Sequence, residues 1–104
     1  MGTLELSLTD DPSSFSCFVY VIGSIRDGEV RTYVGWTNNL EKRIATHNSG
    51  KGAKSTRGRE WVLLYSEEFK TRGEAMSREW HLKRDHKFRG ALRDTFRKQY
   101  GRDG

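Results

Sequence analysis

"FVYVIGSIRDGEVRTYVGW" (residues 18–36) holds two short aromatic and β-branched runs on either side of a turn. Phe18-Val19-Tyr20 opens the first run and Tyr33-Val34-Gly35 closes the second. Val, Ile and Tyr suit paired strands, and Asp27-Gly28 is a two-residue hairpin signal. Residues 17–23 show little polar alternation, which predicts a central strand with residues 31–36 returning beside it. A plain hairpin has no use for a tyrosine in each strand followed by an arginine and a histidine one helical turn apart. That pattern also fits one wall of an active site.

Downstream, Asn38 with Glu41 three residues on makes a capping-box pattern. It predicts a helix with Leu40, Ile44 and His47 on one face, ending around Asn48-Ser49-Gly50. Residues 50–60, GKGAKSTRGRE, form a glycine-rich basic loop, and Trp61–Tyr65 is an apolar third strand. Thr71-Arg72-Gly73-Glu74 repeats the capping box and starts a second helix with Ala75, Met76, Glu79 and Leu82 at inward spacing. Phe88, Leu92, Phe96 and Tyr100 recur every four residues and predict a third helix over 87–100. The fold class is therefore α/β (α+β), in the order β-β-α-β-α with a C-terminal helix. Residues 1–15 read as a loose tail and 16–104 as one domain.

At 104 residues the chain is long enough for one modest core without disulfides. With 34% hydrophobic and 32% charged residues that core is lean and the protein soluble. No apolar run reaches the ~20 residues that span a membrane, and the acidic N-terminus does not read as a signal peptide. Cys17, the single cysteine, fits a reducing cytoplasm and a small core position. The net charge of +5 is uneven: residues 1–41 carry −4 and residues 42–104 carry +9. A basic half of that size attracts polyanions, among which nucleic acid is the commonest partner.

Arg43 and His47 are four apart and share a helix face beside the Leu40/Ile44 stripe. Glu79 lies inside an apolar stripe, where a carboxylate needs a partner. Two readings stay open for it: an ion pair with Arg43 or Arg78, or a metal ligand in a hydrolytic site. Lys51, Lys54, Arg57 and Arg59 are placed to grip phosphates across the loop, with a merely solvated loop as the alternative. Gly35 reads as making room for the helix that follows. His81 and His86 read as surface residues, and Trp36, Trp61 and Trp80 as core or rim.

The ordered set Tyr20, Tyr33-Val34-Gly35, Arg43-x-x-x-His47, Gly50-Lys51-Gly52 and Glu79 resembles the GIY-YIG nuclease superfamily. The resemblance runs from about residue 17 to 88 and is nearest to the small stand-alone bacterial members. It implies a three-stranded sheet flanked by helices and a phosphodiesterase dependent on one divalent ion, Mg²⁺ or Mn²⁺. It also implies roles: Tyr20 acts on the attacking water, Tyr33 shapes the site and Arg43 holds the scissile phosphate. His47 takes the tyrosine's proton, and Glu79 ligates the metal. The chain departs from the pattern at Phe18, where the name-giving glycine would stand. Its two tyrosines also stand 13 positions apart, and no asparagine follows Glu79.

The expected function is a metal-dependent endonuclease acting on nucleic acid, DNA in preference to RNA. Its selectivity would be for structure, or weakly for sequence. The alternative is a nucleic-acid-binding module that kept the scaffold with little turnover.

Overall fold

Asp27 and Gly28 both take positive φ, 52° and 80°. Such a two-residue turn matches the right-handed twist of the strands it joins, and aspartate tolerates the left-handed region. The computed structural model describes residues 16–101, so the expected tail over 1–15 lies outside the described residues. The hairpin is β1 (Cys17–Arg26) and β2 (Glu29–Thr37), paired in register from Phe18 opposite Thr37 to Arg26 opposite Glu29. Both strands outrun their expected lengths, because the polar residues flanking the turn continue the ladder. α1 (Leu40–Asn48), a 3₁₀ turn (Lys54–Thr56), β3 (Val62–Phe69), α2 (Arg72–Arg84) and α3 (His86–Phe96) follow, and a π-helical turn (Arg97–Gly101) ends the described chain.

β3 pairs antiparallel with the other edge of β1, so the three-stranded sheet runs β2-β1-β3 with β1 in the centre. Residues 17–24 of that strand are buried apart from Phe18, as a strand covered on both faces requires. Its side chains alternate. Cys17, Val19 and Val21 pack with Val34, Ala75 and Leu82 under α2 and α3. Tyr20 and Ile22 pack with Trp61 on the opposite face, against Tyr33, Leu40 and Ile44. A bulge in β3 changes its alternation: Val21 faces Tyr65, yet Ile22 faces Leu63. Leu64 and Tyr65 therefore both pack against the Val19/Val21 face, while Val62 and Leu63 are exposed. An apolar run is thus only partly a buried one.

The helices start at caps. Thr71 Oγ1 accepts from Glu74 N–H at 3.1 Å, as the capping box predicts. The first cap is one residue later than expected: Asn39, rather than Asn38, accepts from Lys42 N–H at 3.1 Å. Thr37 explains the shift, since its hydroxyl accepts from Asn39 N–H at 3.1 Å and carries the chain one residue further before it turns. Asp85 ends α2 and caps α3 through Phe88 N–H. The inward stripe of α2 is narrower than expected. Ala75 and Leu82 are fully buried, Met76 faces outward, and Glu79 lies at the boundary. On α3, Phe88 and Leu92 join the core and Phe96 is buried, while Tyr100 in the π turn is exposed.

Candidate active site

Tyr20 projects from the buried centre of β1 across its partner Gly35 on β2. A Cβ at position 35 would lie 2.6 Å from the Tyr20 hydroxyl and 3.2 Å from the Tyr33 ring. The glycine makes room for the phenol, not for the helix that follows. Tyr33, two residues earlier on the same strand, brings its ring centroid within 6.4 Å of Tyr20 and 4.9 Å of His47.

His47 enters from the last turn of α1 and is fully buried. Its Nε2 lies 2.8 Å from Tyr20 Oη, and its Nδ1 lies 3.0 Å from Thr56 Oγ1. The basic loop closes over the ring: a Cβ on Gly52 would come within 2.5 Å of Nδ1. Asn48 shuts the loop at its base. Its carboxamide donates to Trp61 C=O at 3.1 Å and accepts from Trp61 N–H at 2.6 Å. The Trp61 indole N–H in turn donates to Thr56 C=O at 2.8 Å. Gly52 stood out in the sequence only as part of the Gly50-Lys51-Gly52 run, and Thr56 and the clamp made by Asn48 had no signal of their own.

Burial pushes the Tyr20 hydroxyl above its ordinary pKa of 10. The nearby Arg43 guanidinium pulls it back, while Tyr33 and the Glu79 carboxylate push the same way as burial. His47 is held below its ordinary 6.5, first by burial and then by the Arg43 charge. Near neutrality the pair is therefore an uncharged phenol beside an uncharged imidazole.

Glu79 approaches from α2, which packs on the sheet face opposite Tyr20's own cluster. Its side chain is 22% exposed and pairs with Lys83 Nζ at 3.5 Å, one turn along the helix. Neither expected partner holds it. Arg78 binds Glu67 at 2.7 Å, and Arg43 sits beside Tyr20. No cluster of three or more His, Cys, Asp or Glu ligands occurs among the described residues. A lone, largely buried carboxylate does not make a zinc-type site. It does fit a hard cation that keeps several waters and borrows oxygens from a phosphate.

The loop cations divide. Lys51, Lys54 and Arg57 are exposed. Arg59 is only 7% exposed at its side chain, where it donates to Ser24 Oγ at 3.1 Å and Glu29 C=O at 2.9 Å and pairs with the Glu29 carboxylate at 3.7 Å. It ties the loop to the hairpin. His81 and His86 are exposed, Trp61 is buried, and Trp80 is 53% exposed with the Arg84 guanidinium 3.8 Å from its ring centre.

Comparison with known proteins places the chain in a family. A UPF0213 protein of Clostridium perfringens is 60% identical over 53 residues, 50% of this chain and 57% of that protein. The match thus spans little more than half of that relative's length. A UPF0213 protein of Bacillus licheniformis is 53% identical over 70 residues, 66% of this chain and 69% of the relative. The solution NMR structure of a UPF0213 protein from Bacillus halodurans is 40% identical, covering 66% of this chain and 71% of that one, with a TM-score of 0.37. The family model of the GIY-YIG catalytic domain matches residues 16–91, a span holding both tyrosines, Arg43, His47, the whole loop and Glu79. The chain belongs to the GIY-YIG family, a family of nucleases.

Proposed function

We propose that the chain is a divalent-metal-dependent endonuclease that hydrolyses phosphodiester bonds in DNA, selecting by structure or weakly by sequence. The buried Tyr20–His47 contact of 2.8 Å carries this reading. A phenol whose pKa is raised is a poor base alone, so a free tyrosinate is not a useful species here. With neutral His47 behind it, Tyr20 relays instead. Its oxygen takes a proton from the attacking water as its own proton passes to His47 Nε2. The relay leaves tyrosine neutral and histidine protonated.

Arg43, exposed on α1 and close enough for its charge to act on both Tyr20 and His47, would place a positive charge where the non-bridging oxygens of the phosphate gather charge. Tyr33 packs against the His47 ring at 4.9 Å between ring centres and helps hold it in place. Glu79 would hold Mg²⁺ or Mn²⁺, which when bound supplies Lewis-acid stabilisation of the phosphate. Lys51, Lys54 and Arg57 contact the nucleic-acid backbone, and Arg59 supports their loop. A cytoplasmic location follows from such a substrate. Among the described residues no helix is long and apolar enough to cross a membrane.

The test is direct. Purified protein is incubated with branched, flapped and linear DNA in Mg²⁺, in Mn²⁺ and with chelator. Metal-dependent cleavage that disappears in Arg43→Ala is the expected result. Salt-sensitive binding with no cleavage on any substrate would reject it, in favour of a binding module on a nuclease scaffold.

A further inference from the structure

The hydrogen bonds around His47 decide which of its nitrogens carries the proton. Thr56 is fully buried, and its hydroxyl donates to Ala53 C=O at 2.8 Å, an oxygen that can only accept. With that hydrogen committed, Thr56 Oγ1 offers a lone pair to His47 Nδ1 at 3.0 Å, so Nδ1 must be the donor. A neutral imidazole has one N–H, which leaves Nε2 as a bare acceptor facing Tyr20.

The other end of the chain of bonds requires the same assignment. A neutral tyrosine carries one hydrogen, and Nε2 at 2.8 Å is the acceptor that stands against it. The opposite tautomer would turn the Thr56 hydroxyl away from Ala53 and leave the buried Tyr20 hydrogen without an acceptor.

We propose that Thr56 is a positioning residue that fixes His47 as the Nδ1–H tautomer and so keeps Nε2 ready to receive the Tyr20 proton. Thr56 is itself held. Its N–H bonds Ala53 C=O at 2.9 Å and its C=O takes the Trp61 indole N–H, whose backbone Asn48 clamps. Gly52 lets the loop lie flat on the ring, so a substituent there would collide with Nδ1. The catalytic consequence rests on the nuclease reading; the tautomer does not.

The experiment reads the tautomer first. Long-range ¹H–¹⁵N spectra of the imidazoles in the full chain at neutral pH distinguish a protonated from a bare nitrogen. His81→Gln and His86→Gln variants assign the His47 signals. The wild type should show His47 protonated at Nδ1. Thr56→Val, which keeps the shape and loses the hydroxyl, should shift the population toward Nε2–H, and Thr56→Ser should restore it. On cleavage, Thr56→Val should lower kcat by about 10–100-fold, the range seen when outer partners of metal-bound histidines are removed. KM should hardly move, and the serine variant should recover the rate. A wild type protonated at Nε2 would overturn the proposal even if no variant folds. So would an Nδ1–H fraction unchanged in a folded Thr56→Val protein. A wild type that cleaves nothing counts against the nuclease reading alone, because the spectra decide the role of Thr56 by themselves.

Discussion

The two faces of the central strand carry different kinds of side chain. Cys17, Val19 and Val21 face α2 and α3 through a core of valines, Ala75 and Leu82. Tyr20 and Ile22 face α1, where the same burial surrounds a hydroxyl, an imidazole and a second hydroxyl in sequence. Among the described residues no buried side-chain nitrogen or oxygen lacks a partner. On the first face burial removes apolar area from water, so shape and volume set the stability. On the second, every buried polar group depends on its neighbour, and a change acts through the group it strands. The two faces should therefore fail differently when they are cut.

The largest stability effect belongs to the first face. Leu82→Ala should cost about 2–5 kcal/mol, the range for fully buried leucine in a packed core. Denaturant melts measure it, and the folded fraction should bind and cleave as before. A loss of activity per folded molecule would show that the faces are not separable.

Tyr20→Phe keeps the ring and removes the hydroxyl, leaving His47 Nε2 buried without its partner. The expected cost is about 1–3 kcal/mol, well below that of Leu82→Ala. Cleavage should fall by about 10²–10⁴-fold, the usual contribution of a positioned acid or base. Equal losses of stability in the two variants, with cleavage retained by Tyr20→Phe, would make Tyr20 another core residue.

Acid should find the second face alone. The folded-state pKa of His47 lies below its unfolded value of 6.5. Above about 6.5 both states leave the ring neutral and the full stability is present. Between 6.5 and the lower folded value the unfolded chain binds the proton and the folded chain does not, so stability falls as pH falls. The loss cannot exceed about 1.4 kcal/mol per pH unit from this one group. Melting temperature measured down from pH 7 should drop in wild type, and His47→Gln should flatten the drop over that window. An unchanged slope would mean that His47 titrates freely.

The order of strands and helices was legible because each rests on a local rule. A left-handed pair at Asp27-Gly28 makes the hairpin, and Thr71 with Glu74 caps α2. What the sequence hid depends on partners distant along the chain. The β3 bulge at Leu64 decides which apolar residues of that strand face inward, and it is visible only against β1. Arg59 reads like Lys51, Lys54 and Arg57, yet the hairpin 30 residues upstream takes its guanidinium. Tyr20 and Tyr33 stood out through their resemblance to the GIY-YIG motif, and Arg43 and His47 were legible as neighbours because helix periodicity puts them on one face. Thr56 was not, since a buried threonine in a three-residue turn leaves no periodic trace.

That split among the loop cations is open to measurement. Removing Lys51, Lys54 and Arg57 should reduce the slope of log affinity against log salt by about 0.7–0.9 for each phosphate that is no longer neutralised. Arg59→Ala should instead lower the melting temperature and leave the slope nearly unchanged. An equal slope change for Arg59 would place it among the phosphate-binding cations.

Glu79→Gln should have the smallest effect on stability and a large one on cleavage. The residue sits at the margin of the first face but belongs, by its charge, to the second. The carboxylate raises the Tyr20 pKa and meets only the half-exposed Lys83 as an ion-pair partner. Helix pairs of that spacing contribute about 0.3–0.5 kcal/mol, so the amide should shift stability by no more than that. Had Glu79 closed a buried pair with Arg43 or Arg78, the same change would strand a cation at about 3–5 kcal/mol. The Arg78–Glu67 pair and the position of Arg43 at Tyr20 remove that route. If Glu79 holds the ion, Mg²⁺ or Mn²⁺ should raise the wild-type melting temperature slightly and leave the variant's unmoved, since a ligand of the native state stabilises it by mass action. DNA binding without metal should persist. A variant that melts with wild type, still gains stability from the ion and still cleaves would show that the carboxylate is only a surface charge beside Lys83.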